Sequence, residues 1–255
     1  MSDQRDFFRE VEREYWAEAE GLKGEERALI ERYLDPELPT LDAGTGGGRI
    51  PRALAGMGFR RLTGFDFAPE LIAAARGSVP EGTVAFDVAD ATDLPYADAS
   101  FAQALYLQQV VCTIEDPAGR EAALREAARV LRPGAIALLS FVCLESRLAS
   151  PPQRAYVAYL RAARALRRDR RPLQSMPRLR LRGRFDPGAL RDAGPYNWWY
   201  RAGEAEAALR AAGFEVEAMG FGPAAEAGAL KRTAAEALAD GADGTLYAVA
   251  RTPAA

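Results

Sequence analysis

The sequence predicts an α/β protein with a mostly parallel sheet and helices on both of its faces. Three observations point there. From residue 39 onward, short apolar runs alternate with segments of helical periodicity. Glycine- or acid-tipped turns follow the first three strands. The composition, 49% hydrophobic and 27% charged over 255 residues, is that of an ordinary globular chain long enough to bury a large core.

The elements follow in order. Residues 5–34 read as one or two amphipathic helices. Phe7, Phe8, Val11, Tyr15 and Trp16 fall close to one helical face, Gly21 and Gly24 interrupt it, and ERALIERYL ends at Asp35-Pro36. PTLDAG is a strand ending in a glycine-rich turn, and RIPRALAGMG a helix closed by glycine. RLTGFD is the next strand. APELIAAARG is a helix with Pro69 in its first turn. TVAFDVAD and ASFAQALYL are strands. DPAGREAALREAARVL is a helix stopped by Pro133-Gly134, and AIALLSFVCL is a long buried strand. Residues 145–200 break this rhythm. GEAEAALRAAGFEVEAMGF restores it, TAAEALADGADG is helix-like, and DGTLYAVARTP is a last strand expected to pair antiparallel with its predecessor.

Composition excludes several chemistries. The chain has no histidine, which removes every histidine triad, general base and metal ligand. Its two cysteines, Cys112 and Cys143, lie in apolar runs without CxxC or zinc spacing, so both are expected buried and reduced and no metal site is expected. No window reaches the roughly 18 apolar residues of a membrane span, and MSDQRDFFREVEREYW has no signal-peptide core. These features predict a soluble, cytoplasmic protein. Net charge is −3, yet residues 161–184 hold ten arginines against a single acid, Asp169.

The chemistry centres on LDAGTGGGR, residues 41–49. Gly44, Gly46 and Gly48 let the backbone turn sharply and approach a ligand, with Asp42 just before them and a helix start just after. The spacing departs from the dinucleotide pattern GxGxxG, which meets Arg49 at its last position. A P-loop is excluded because no lysine follows the turn. Asp66 ends the second strand 22 residues beyond Gly44, where an acid grips ribose hydroxyls. Asp90 follows the third strand and can accept from an adenine amino group.

These elements, in this order, resemble the class I S-adenosylmethionine-dependent methyltransferases of small-molecule type. LDAGTGGGR, GFDFAPELIAAAR, DATDLPYADASF and LREAARVLRPGAIALLSF carry the resemblance over residues 39–142, and it resumes loosely at 198–251. It implies a Rossmann-like, seven-stranded sheet with one reversed strand, and S-adenosylmethionine as cofactor with S-adenosylhomocysteine as product. It also implies site roles. Gly44, Thr45 and Gly46, with Asp42 behind them, would face the methionine portion. Asp66 would hold the ribose, with Phe67 beside the adenine, and Asp90 and Ala91 would recognise the adenine edge. Tyr106 and Leu107 would lie under the sulfonium and methyl group. Where relatives carry an acid, a serine and histidines, this chain has Ala102, Ala68, and Cys112 with Thr113.

The resemblance divides the chain into an N-terminal helical lid (1–38), a cofactor-binding domain (39–144 and 198–255) and an Arg-rich helical insertion or substrate lid (145–197). The lids offer Tyr15, Trp16, Tyr196, Trp198, Trp199 and Tyr200 as aromatic walls for the acceptor, or as staples between helices. The expected reaction is in-line O- or N-methylation of a small molecule. Tyr106, Glu145 and Tyr200 stand as catalytic candidates, none preferred. The arginines admit three uses: a solvated helix face, a grip on an anionic small molecule, or contacts to RNA phosphates. A tRNA or RNA methyltransferase, or a non-catalytic S-adenosylmethionine-binding protein, is therefore the alternative. A monomer or homodimer without a membrane partner is expected.

Overall fold

The computed structural model describes residues 20–181 and 184–254. α1 (Gly24–Tyr33) precedes the alternating run β1 (Thr40–Ala43), α2 (Arg49–Gly56), β2 (Leu62–Asp66), α3 (Pro69–Gly77), β3 (Val84–Val88), β4 (Phe101–Tyr106), α4 (Pro117–Val130) and β5 (Leu131–Phe141). Then come α5 (Leu144–Ala149), α6 (Pro151–Arg167), β6 (Ser175–Pro177), β7 (Arg180–Leu181), β8 (Arg184–Phe185) and β9 (Tyr196–Trp198). α7 (Ala202–Ala211), β10 (Glu215–Phe221), α8 (Gly222–Glu226), α9 (Ala234–Ala239) and β11 (Leu246–Arg251) complete the described chain. The expected amphipathic helix around Phe7 to Trp16 lies outside the described residues.

Seven strands form one sheet in the order β10-β11-β5-β4-β1-β2-β3. β1 pairs in parallel with β2 and β4, β2 with β3, and β4 with β5. β11 runs antiparallel to both β5 and β10, so the predicted pairing with its predecessor holds and the strand is also wedged against β5. The strand order reverses between β1 and β4, which is where open α/β sheets bind ligands.

Period-2 alternation sorts the core into two layers. Ala104 and Tyr106 of β4, Leu139 and Phe141 of β5, and Ala248 and Ala250 of β11 face α4, α7 and α9. Leu105 and Leu107, Leu138, and Tyr247 and Val249 face α1, α2 and α8. Helix starts follow from local chemistry: Asp116 caps α4 by accepting from the Gly119 N–H at 2.9 Å, with Pro117 at the first helical position. α1 is pinned to α2 by a buried, bidentate ion pair. Arg49 donates from Nη1 and Nη2 to Glu26 at 2.7 and 2.9 Å. Arg49, the residue that breaks the dinucleotide pattern, thus has a structural partner.

The stretch expected to be helical holds α5 and α6, but its described remainder is built from short strands and one 3₁₀ turn, Pro187–Arg191. β6 pairs antiparallel with β9, and β7 with β8. β9 ends at Trp198. Arg164 is buried in the unit, donating to both oxygens of Asp192 at 2.8 Å and to the carbonyls of Pro172 and Ser175. Cys112 and Cys143 are free and buried, and burial pushes both thiols up to about 12. No described helix is long and apolar enough to cross a membrane.

Candidate active site

The turn after β1 is held open by backbone demand. Gly44 and Gly46 have φ of +61° and +54°, a region that side chains rarely adopt. At Gly44 a Cβ would also lie 2.5 Å from Cγ2 of Val110, so the turn packs directly on the segment after β4. Asp66, at the end of β2, fixes the turn. Its Oδ2 accepts from the Gly46 N–H and its Oδ1 from the Ala68 N–H, both at 3.0 Å. Burial raises the Asp66 pKa, and the amides of Ala68, Gly46 and Phe67 pull it partway back. Three amide donors leave the carboxylate one acceptor position for a ligand.

A cavity of about 300 Å³ opens at the carboxyl ends of β1 to β4. Gly44, Gly46, Asp66, Phe67, Asp90 and Ala91 line it, which unites six of the sequence-predicted residues around one space. Asp90 is oriented by its own turn, accepting from the N–H and hydroxyl of Thr92. Phe65, Leu71, Ala89, Val110 and Ile114 supply apolar wall. Two carboxylates flanking an apolar slot, beside a turn open enough for main-chain approach, fit a nucleoside: apolar faces for a base, acceptors for ribose hydroxyls and an exocyclic amine.

Asp42 lies beside this turn, 1% exposed, and neither carboxylate oxygen has a hydrogen-bond partner. Burial pushes its pKa up to about 7. The Thr45 hydroxyl, outside hydrogen-bond geometry, and the Arg49 guanidinium pull it only partway back. Thr45 itself is buried, and its hydroxyl is likewise unpartnered.

The remaining predicted residues sit elsewhere. Tyr106 and Leu107 are wholly buried on opposite faces of the sheet and do not line the cavity. Burial drives the Tyr106 phenol well above its usual pKa. Tyr200 packs edge-on against Phe141 and is raised in the same way. Glu145 accepts from Cys143 Sγ and the Ala202 N–H. Trp198 stacks under Arg120 and donates to Glu204, whereas Trp199 stacks under Arg147. None of these lines the cavity. Tyr15 and Trp16 lie outside the described residues.

The structure adds residues that the sequence reading passed over. Gln108, Val110, Ile114, Glu115 and Asp116, after β4, line the cavity together with Thr113. Their signal was position, since every segment following a parallel strand ends on the ligand side. Arg178 also reaches the cavity, held through its Nε on Asn197 Oδ1 at 3.1 Å. One arginine among ten gave no sequence signal of its own.

Residues 41–139 match the family model of a methyltransferase domain. O-methyltransferase cnsE of Penicillium expansum is 37% identical over 98 residues, which is 37% of this chain and 34% of that protein. The chain spans about a third to a half of the length of the first curated relatives it matches. Among solved structures, an S-adenosylmethionine-dependent methyltransferase of Methanosarcina mazei superposes with a TM-score of 0.66 at 22% identity, covering 89% of this chain and 98% of its own. The 1,6-didemethyltoxoflavin-N1-methyltransferase of Burkholderia thailandensis, solved with its acceptor and S-adenosylhomocysteine, does so at 0.58 and 18%, covering 98% and 87%. At these identities the structural likeness is one of fold.

The chain therefore has the Rossmann-like fold of S-adenosylmethionine-dependent methyltransferases. Its residues 41–139 are similar to the methyltransferase domain family.

Proposed function

We propose that this protein transfers the methyl group of S-adenosylmethionine to a small-molecule acceptor by in-line displacement, with S-adenosylhomocysteine as product. The observation that carries the proposal is the cavity at the strand-order reversal, where Gly44, Gly46, Asp66, Phe67, Asp90 and Ala91 converge within the methyltransferase domain. When bound, the cofactor supplies a methyl already activated on sulfur. The chain's own work is then binding, alignment and water exclusion, and alignment alone contributes roughly 7–11 kcal/mol. Asp66 would accept from the ribose, Asp90 from the adenine amine, and Phe67 and Leu71 would pack the base.

The acceptor favoured is one that ionises unaided, a carboxylate or phenol, methylated on oxygen. Tyr106, Glu145 and Tyr200 lie away from the cavity, and burial disfavours both phenolates. The curated relative named as an O-methyltransferase supports the same class. We assign residues 39–144 and 198–255 to cofactor binding and 145–197 to acceptor selection, on the strength of Arg178 at the cavity. The two free thiols favour the reducing cytoplasm.

Calorimetric titration with S-adenosylmethionine and S-adenosylhomocysteine tests the cofactor assignment. Wild-type protein is expected to take up both. Asp66→Ala, still folded by its melting curve, should bind at least about tenfold more weakly, as expected for lost charge-assisted hydrogen bonds. Undiminished affinity in the folded variant would place the cofactor elsewhere.

A further inference from the structure

Four arginines are buried among the described residues: Arg49, Arg120, Arg147 and Arg164. Three are answered by the chain. Arg49 has Glu26, Arg164 has Asp192, and Arg120 donates to the carbonyls of Ile114 and Glu115 at 2.9 and 2.8 Å. Arg147, on α5 and 4% exposed, differs. Its Nε and Nη2 are buried with no hydrogen-bond partner, and no described carboxylate lies within ion-pair distance. The nearest acid in sequence, Glu145, is engaged by Cys143 Sγ, the Ala202 N–H and Arg201. Burial without a compensating anion lowers the Arg147 pKa to about 10.

Trp199 repeats the anomaly beside it. Arg120 lies over Trp198, and Arg147 over Trp199, each 4.1 Å from the ring centroid. The two arrangements are near twins, except in what they bond. The Trp198 indole N–H donates to Glu204 at 2.7 Å, whereas that of Trp199 is buried and unpartnered. Buried donors are nearly always satisfied, so three orphans on two touching side chains mark a missing acceptor. Their geometry says what kind. Nε and Nη2 form one edge of the guanidinium, the edge through which Arg164 holds both oxygens of Asp192.

We propose that Arg147 and Trp199 form a receptor for the carboxylate of a small molecule, taken bidentately by the Nε–Nη2 edge and by the indole N–H. The receptor lies outside the cavity assigned above, between α5, α6 and the end of β9, and does not depend on the methyl-transfer reading. Leu144, Val157, Leu160 and Met176 form the apolar cluster to which Trp199 packs. A dry surround of this kind strengthens a charged hydrogen bond. Because the three donor nitrogens are shielded from solvent, entry requires local opening, and exchange is expected to be slow on the NMR timescale.

The indole N–H resonances test this without cofactor. Titrated with acetate and then benzoate, the Trp199 signal, assigned by its loss in Trp199→Phe, should be replaced by a new peak whose intensity saturates. That of Trp198, already bonded to Glu204, should stay. Arg147→Met should weaken the response at least about tenfold, and Arg147→Lys, which keeps the charge but loses the fork, should also weaken it. Trp199→Phe should lower acetate affinity about fivefold, read as the saturable rise in melting temperature. Absence of that new peak would overturn the proposal and leave buried water as the partner. So would an equal response to chloride at matched ionic strength, or an undiminished response in a folded Arg147 variant.

Discussion

Asp42 carries a pH signature of its own. Unfolded, its carboxyl titrates near 3.8, and in the fold near 7, because burial without hydrogen bonds disfavours the charge. The folded state thus holds more protons between those values. This group's contribution to stability falls as pH rises from about 4 to about 7 and is level above that, a loss of up to about 4 kcal/mol. Asp42→Asn has no such linkage. Denaturant unfolding at pH 5 and pH 8 should show the variant gaining on wild type at the higher pH, and an equal difference at both would mean the carboxyl is not held protonated. At this scale, the parts of the site legible in the sequence were those where the backbone itself makes the demand. Gly44 and Gly46 announce a turn that side chains seldom make, and Asp66 and Asp90 mark strand ends. The aromatic run at 196–200 was legible only as a cluster. Nothing in its spelling tells that Trp198 finds Glu204 while Trp199 finds no acceptor.

Among the elements, the sheet strands and their helices followed from periodicity, because burial on two faces writes itself as alternation. The unit between β5 and α7 did not. β6 and β9 are three residues each and pair across some twenty residues, too short for any period to show. The arginine run also hid its partner for a reason of distance. Counted between 161 and 184 it has one acid, yet the anchor of Arg164 is Asp192, beyond that window, and Asp192 also receives Arg171 at 2.8 Å. Asp192→Ala should therefore loosen this unit as a whole, since it leaves a buried guanidinium uncompensated at a cost of about 3–5 kcal/mol. Hydrogen exchange should accelerate through α6 and β6 while β1 and β4 stay protected. Equal acceleration in the central strands would show that the unit and the sheet unfold together.

For the molecule as a whole, the question is whether its arginine-rich surface meets nucleic acid. With Arg164 buried and Arg171 tied to Asp169 and Asp192, the run's other arginines on α6 and the turn after it, Arg161, Arg167, Arg168 and Arg170, are exposed. Replacing these four by glutamine should leave S-adenosylhomocysteine uptake unchanged. Bulk tRNA should bind wild type no tighter than about 10⁻⁶ M at physiological salt, the non-specific range, and submicromolar binding lost in the variant would instead favour the RNA reading. The sheet order has a consequence for how the protein is made. The strand at residues 246–251 lies between two neighbours synthesised before it, one of them more than a hundred residues earlier. While a ribosome still holds that strand in its tunnel, the growing chain carries an open, greasy flank along β5, with nothing yet to join β10 to the parallel strands. Chaperone capture at that stage, and clumping of any product cut short before residue 246, follow from the position of six residues.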